Sequence, residues 1–344
     1  GDSYKLFIEK TNTNLTDTVV ATVQNNVTQK IAFHHGTFTS SDYSSAYSTV
    51  EAATAAGHVY SNSSDGTYTW GTLAVSGSSS TNTTYSWTPI STLTGADVLM
   101  VAGGGGNGTS GSEGGAGAGE LVFLPNQSIS AAQQTVIVGN GGQGANIGED
   151  TEFLSISANG GGNTTISGGS GGGRKRDRNG SIGSSVKTGN GYGNNGGDST
   201  GTAWSGAGGG GGAGSVGGNG SGSNNSNESP GNGGDGLNEV TISGTLYNFA
   251  SIFGGAIYGE VISGESWFAG GGGGSINGGG NGTGGGTGGK GGGGRGEGPT
   301  TGSYTSYFSA STSAMKHTGG GSGGSVVSSR TLNGGSGIVL IKYT

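Results

Sequence analysis

Ser170, Lys290, four histidines and a pair of glutamates are the side chains whose types and spacing could do chemistry. Gly168-Gly169-Ser170-Gly171-Gly172 fits G-x-S-x-G. That pattern makes a nucleophile elbow when a strand-to-helix turn presents the serine to a histidine and an acid. Here it lies inside a glycine tract, so no hydrolase is expected. Gly284 to Lys290 fits the start of a phosphate-binding loop, but Gly291 stands where a Mg²⁺-binding Ser or Thr is required. No helix is expected to follow and turn its N-terminus toward a phosphate. Matches to G-x-G-x-x-G carry little information in a chain with 87 glycines among 344 residues.

The histidines are His34, His35, His58 and His317. Neighbours on a strand point to opposite faces, so His34 and His35 would not hold one ion together. Neither a metal site nor a cofactor is expected. Glu260 and Glu265 would need a separation of about 5–10 Å across a cleft for glycosidase chemistry; scattered solvated acids are the simpler reading. The expectation is a protein that is not an enzyme.

Binding residues are a better match to this composition. Arg174, Lys175, Arg176 and Arg178 form a basic run broken only by Asp177. Arginine forks could grip a sialylated, sulfated or phosphorylated glycan; the same run could instead be a solvated loop tip. Aromatic residues gather in two islands, Leu237–Ala269 and Thr300–His317. Tryptophan and tyrosine give rigid contact area with a polar handle and dominate interface hot spots. Trp267, Tyr258, Tyr304 and Tyr307, with Tyr247 and Phe268 beside them, are the expected contacts with a binding partner. Phe249, Ile252, Phe253 and Ile257 are read as a satellite core beneath them. Sequons at Asn14, Asn26, Asn62, Asn82, Asn107, Asn163 and Asn281 would carry glycans on surface loops in a eukaryotic host.

The elements that position these residues follow from composition. Apolar residues make up 28% of the chain, and four prolines without a Gly-X-Y period exclude collagen. An ordered chain this poor in side chains must offset its backbone entropy with backbone hydrogen bonds, each worth about 0.5–1.5 kcal/mol net. Glycine loses the most freedom of any residue on folding. Polyproline II helices have no internal hydrogen bonds, so glycine helices laid side by side can bond in several directions. The expected fold is therefore mainly β, a β-sheet framework clamping a packed polyglycine II bundle.

Strands are expected at Tyr4–Glu9, Thr18–Gln24, Val27–Phe33, His58–Ser61, Thr67–Ala74 and Thr84–Pro89, with a hairpin turn at Asp65-Gly66. A helix is expected over Tyr47–Ala56, closed by Gly57. Further strands are Ala96–Ala102, Glu120–Pro125, Thr135–Val138, Thr151–Ser157 and Gly337–Tyr343, with glycine tracts between roughly 160 and 335. This divides the chain into a β-rich mounting or assembly domain, 1–95, and a glycine-rich domain, 96–344. The aromatic islands are expected to leave the lattice as loops, because bulky side chains cannot sit inside it.

VLMVAGGGGNG, GGAGAGELVFLP, TVIVGNGGQG, EDTEFLSISANGGG and the closing GGSGIVLIKYT resemble the glycine-rich domain family of marine phage and large algal virus proteins. The layout is similar to the glycine-rich module of certain receptor tyrosine kinases. It also resembles phage tail-fibre-tip adhesins in which polyglycine II helices hold up receptor-contacting loops. The resemblance covers about 96–344 and implies surface binding or assembly rather than catalysis, with a receptor as the partner of those aromatic residues.

The expected function is therefore a viral or phage fibre-tip adhesin, extracellular on the virion surface. It would bind a glycan or a cell-surface or outer-membrane protein of the host. The alternative is a subunit of an extracellular filament, joined to its neighbours by strand exchange through residues 1–95. Ice binding is a third class, without a regular threonine row to support it. A net charge of −7 with 10% charged residues argues against nucleic-acid partners, and no apolar run reaches the ~18 residues of a membrane span. The chain starts at Gly1 and shows no signal peptide, which suggests a processed protein or a downstream part of a longer one.

Overall fold

The computed structural model describes residues 29–34, 59–63, 72–78, 81–89, 91–107, 113–177, 182–200, 205–223, 226–253, 258–276, 281–282, 284–298, 310–326 and 330–343. The strands expected at 4–9 and 18–24, the helix at 47–56 and the turn at 65–66 lie outside them.

The described strands are β1 Gln29–His34, β2 Val59–Ser63, β3 Thr72–Ser78, β4 Asn82–Thr88, β5 Leu93–Val101, β6 Leu121–Ile129, β7 Gln134–Gly139, β8 Thr151–Phe153 and β9 Ile156–Ala158. Short strands follow: β10 Gly191–Tyr192, β11 Ser221–Ser223, β12 Ser226–Ser229, β13 Glu239–Ile242, β14 Thr245–Asn248, β15 Glu260–Ile262, β16 Glu265–Trp267 and β17 Asn281–Gly282. β18, Ile338–Tyr343, closes the chain. One helical turn, α1 Phe249–Ile252, is capped by the Asn248 side chain, which accepts a hydrogen bond from the Ser251 amide. The protein is mainly β.

Among the described residues, a central sheet runs β10-β6-β5-β18-β1-β2, with every neighbour antiparallel. A second sheet runs β3-β4-β7-β8-β9. The expected single strand over 151–157 is instead a hairpin, because Leu154 and Ser155 take φ of 51° and 58° and turn the chain back.

The central strands are apolar without alternation because both their faces are buried. Val98 and Met100 of β5, Val122 and Leu124 of β6, and Val339 and Ile341 of β18 enter one core. Leu99, Leu121, Phe123, Ile338 and Leu340 enter another on the opposite face. The first core lies between the two sheets. Trp87 anchors it, with ring centroids 5.8 Å from Phe33, 6.4 Å from Phe153 and 6.4 Å from Tyr343.

The expected division at 95/96 falls inside β5. β1 and β2 join the sheet of β18, and β4 pairs with β7, so the described strands from before residue 96 share one framework with those after it. Hydrogen bonding causes this: the strands on either side of that boundary satisfy each other's amides.

Between the strands, the glycine segments bond to one another with a period of three. Gly270, Gly273 and Ile276 donate to Gly291, Gly294 and Glu297. Gly271 and Gly274 donate to Gly234 and Gly231, while Gly272 and Ser275 donate to Ala116 and Glu113. Segment 270–276 thus donates to three neighbours, one running parallel to it and two antiparallel, and accepts from three more, at 207–210, 286–289 and 321–324. The segment 207–211 repeats the pattern: Ala207 and Gly210 donate to Ser275 and Gly272, and Gly208 and Gly211 to Arg174 and Gly171. At the glycines of these contacts the spacing admits no side chain. A Cβ on Gly272 would stand 1.8 Å from the Ser322 carbonyl oxygen, and one on Gly210 1.9 Å from that of Ala116.

Acidic side chains take up the amides at the ends of these segments. Glu120, fully buried, accepts from the amides of Asn159 and Thr188. Glu297, also fully buried, accepts from Ser325 Oγ and the Val326 amide and pairs with Arg330 at 3.1 Å.

Candidate functional site

The first aromatic island folds into two hairpins rather than a projecting loop. β13 pairs with β14 through Ser243-Gly244, and β15 with β16 through Ser263-Gly264. All four turn residues have positive φ, between 50° and 84°, as two-residue hairpins with mirror-image turns require. Asn248 Nδ2 donates to Glu265 Oε2 at 2.6 Å and so ties the first hairpin to the second. Glu260 Oε2 accepts from the amides of Gly291 and Gly292 at 2.7 and 2.9 Å, which fastens the second hairpin to the glycine segments. Glu260 and Glu265 therefore hold structure together at separate places, each engaged by its own donors.

The hairpins pack their aromatic side chains on the outer face of the central sheet. Phe123 meets Tyr247 at 5.1 Å and Phe249 at 5.7 Å between ring centroids, and Phe249 meets Phe268 edge-on at 6.1 Å. Phe249 and Phe253 are buried, as expected of a satellite core, and Ile252 packs partly buried against it; Ile257 lies outside the described residues. Phe268 and Tyr258, expected as receptor contacts, are in that core at 0% and 8% exposure. Neither presents a surface to a partner, because the apolar face of the sheet beneath them takes up their rings. Tyr247 is half-buried against the same core. Tyr304 and Tyr307 lie outside the described residues.

Trp267, like Tyr247, remains part-exposed. Lys290 Nζ stands 4.6 Å from its ring centroid, an arrangement that attracts a cation to the ring quadrupole. Leu246 and Val261 stand out on the hairpins at 59% and 51% exposure. Sequence reasoning missed these two, although the repeat of Ile-Ser-Gly at 242–244 and 262–264 marks both hairpins.

The basic run does not form an open anion grip. Arg174 pairs with Asp198 at 3.0 Å, and Lys175 reaches Glu113 at 3.5 Å. Arg176 is buried; burial pulls its guanidinium below the ordinary arginine value, while Glu228 and Asp177 hold it up. These cations are drawn inward by carboxylates of neighbouring glycine segments. Arg178 lies outside the described residues.

Of the expected glycan sites, Asn107 is buried at 1% exposure, and its Nδ2 donates to the carbonyls of Gly114 and Gly323. A glycan on that nitrogen would displace both bonds. Asn163 Nδ2 donates to the Ala145 carbonyl. Asn82 opens β4, half-buried, and Asn62 and Asn281 lie in β2 and β17. Asn14 and Asn26 lie outside the described residues.

Ser170 is fully buried within the glycine segments, where its amide donates to Ala118 and its carbonyl accepts from Gly162. Among the described residues no three His, Asp or Glu side chains group to hold a metal ion. None of the described helices is long and apolar enough to cross a membrane.

A framework of small antiparallel sheets threaded by cross-bonded glycine segments defines a class of glycine-rich β protein. The chain belongs to the glycine-rich domain family, whose model matches residues 78–344. The match starts earlier than the 96 expected from the sequence and takes in all of β4. No curated protein matches the chain.

Proposed function

We propose that the glycine segments form a polyglycine II bundle and that the chain is the receptor-contacting tip of a viral or phage fibre. The period of three in the amide partners supports the bundle, because a polyproline II-type helix has three residues per turn and leaves its amides free for neighbours. Such a bundle resists deformation without relying on side chains, and it gives a stiff mount for the two hairpins.

The observation that carries the adhesin reading is that mount: the hairpins are stapled to the glycine segments through Glu260 and hold Trp267, Leu246 and Val261 at the surface. A pre-organised surface loses little entropy on binding. The partner is a host surface glycan or protein, the setting is extracellular, and residues 1–95 meet fibre neighbours. The chemistry is binding; no catalytic step is assigned.

The test is glycan-array and whole-cell binding of the purified chain, with negative-stain microscopy of the same sample. Saturable binding by discrete particles, weakened by about 2 kcal/mol or more in Trp267→Ala, is the expected result. Ordered filaments without binding would replace this reading with a filament subunit joined by strand exchange. Unchanged binding by a folded Trp267→Ala protein would remove the hairpins as the contact.

A further inference from the structure

The geometry points to Asn140 as a site of spontaneous deamidation at the junction of β7 with the glycine segments. Asparagine followed by glycine is the sequence most open to this reaction, because no Cβ on the next residue obstructs the approach of its nitrogen. The chain is rich in such pairs, and among the described residues the structure separates one from six others. At six of them the glycine amide is committed elsewhere. Gly160 donates to Asp150 Oδ1 at 2.7 Å. Gly191, Gly196, Gly220, Gly233 and Gly334 donate to backbone carbonyls of Thr188, Gly183, Asp198, Thr287 and Gly142, at 2.7 to 3.0 Å.

Gly141 is different. Its amide donates to the side-chain oxygen of its own predecessor, Asn140 Oδ1, at 2.8 Å. The electrophilic Cγ is one bond from that oxygen, so nucleophile and electrophile are held together before reaction. Pre-positioning of reacting groups is where intramolecular reactions gain much of their advantage. The backbone of Asn140 is fixed on both sides: its amide donates to Thr81 at 2.6 Å, and its carbonyl accepts from Glu149 at 3.0 Å.

The reaction needs only water. The Gly141 nitrogen gives up its proton to water or hydroxide and bonds to Cγ of Asn140. The Cγ–Nδ2 bond breaks, and Nδ2 leaves with an added proton as ammonia. The resulting succinimide is opened by water at either carbonyl, giving aspartate or isoaspartate; nothing is oxidised or reduced. Isoaspartate inserts a methylene into the backbone. A Cβ on Gly141 would already lie 2.0 Å from the Gly334 carbonyl oxygen, so the segment has no slack to absorb the insertion.

The experiment is ageing of the intact wild-type chain under native, mildly alkaline conditions, followed by peptide mapping with fragmentation that distinguishes isoaspartate. Conversion at Asn140 about tenfold faster than at Asn159, Asn195, Asn219 and Asn232 is expected, the ratio that ~1.4 kcal/mol of barrier provides. Ageing in denaturant should bring the sites to similar rates, since the distinction is tertiary. Equal or slower native conversion at Asn140 would overturn the assignment, as would the same rate ranking in the denatured chain. Both outcomes are independent of receptor binding.

Discussion

Lys290 lies over the ring of Trp267, its ammonium 4.6 Å from the ring centroid. The lysine follows the glycine segment that bonds to 271, and the tryptophan ends β16, so the contact joins the bundle to the second hairpin. A cation over an exposed ring is worth about 0.5–1 kcal/mol. Lys290→Ala should therefore destabilise the fold by about that amount, and a cycle with Trp267→Ala should recover it as coupling energy. Chemical denaturation of the four proteins measures it; full additivity would show the contact to be inert.

Two glycine-to-alanine changes should separate glycines required by packing from those that only fill a turn. At Gly272 the added methyl meets the Ser322 carbonyl oxygen at 1.8 Å, in backbone that cannot retreat. Overpacking costs about 1–3 kcal/mol in ordinary cores, and the rigid neighbour places Gly272→Ala at or beyond the upper end. At Gly189 nothing stands within 4 Å of the new Cβ. Gly189→Ala should be neutral or stabilising by about 0.4–1 kcal/mol through loss of unfolded-state freedom. Thermal unfolding of the two variants checks both signs.

Stability should respond to alkali through Tyr343. Burial in the core beside Trp87 pushes its phenol well above the ordinary tyrosine value. The folded state therefore keeps the proton longer than the unfolded state does. The contribution is fully present below about pH 10, the unfolded tyrosine value, and is lost as pH rises beyond it. Tyr343→Phe should flatten that alkaline loss in a series of denaturation midpoints.

Glu149 should act at the opposite end of the scale. Burial, then the neighbouring Asp150, raise its carboxyl above the usual glutamate range. Ionisation thus costs folding free energy once the pH passes above that range, and the cost disappears on acidification through it. Glu149→Gln should raise the unfolding midpoint at neutral pH and leave it nearly unchanged in acid.

Much of the framework was legible as apolar runs. β5, β6, β7 and β18 all fall on strands expected from the sequence, and residues 249 and 253 occupy the satellite core expected of them. The burial of Phe268 and Tyr258 was not legible. Alternation within a hairpin says which residues share a face, but whether that face meets water or a sheet depends on elements far away in the chain, here Leu99, Phe123 and Leu340. The inward turn of Arg174 and Lys175 was hidden for the same reason: their partners, Asp198 and Glu113, lie 24 and 62 residues away.

Composition alone determined that the glycine-rich part of an ordered form of this chain must be held by backbone hydrogen bonds, since it has too few side chains there to build a core. Only the tertiary structure decided which segment lies beside which. Gly210 bonds to Gly272 and Gly271 to Gly234, yet glycines carry no side chain to distinguish one neighbour from another. The sheets supply the side-chain packing that glycine lacks: β5, β6 and β18 anchor the glycine segments that adjoin them at 102–107, 113–120 and 330–337.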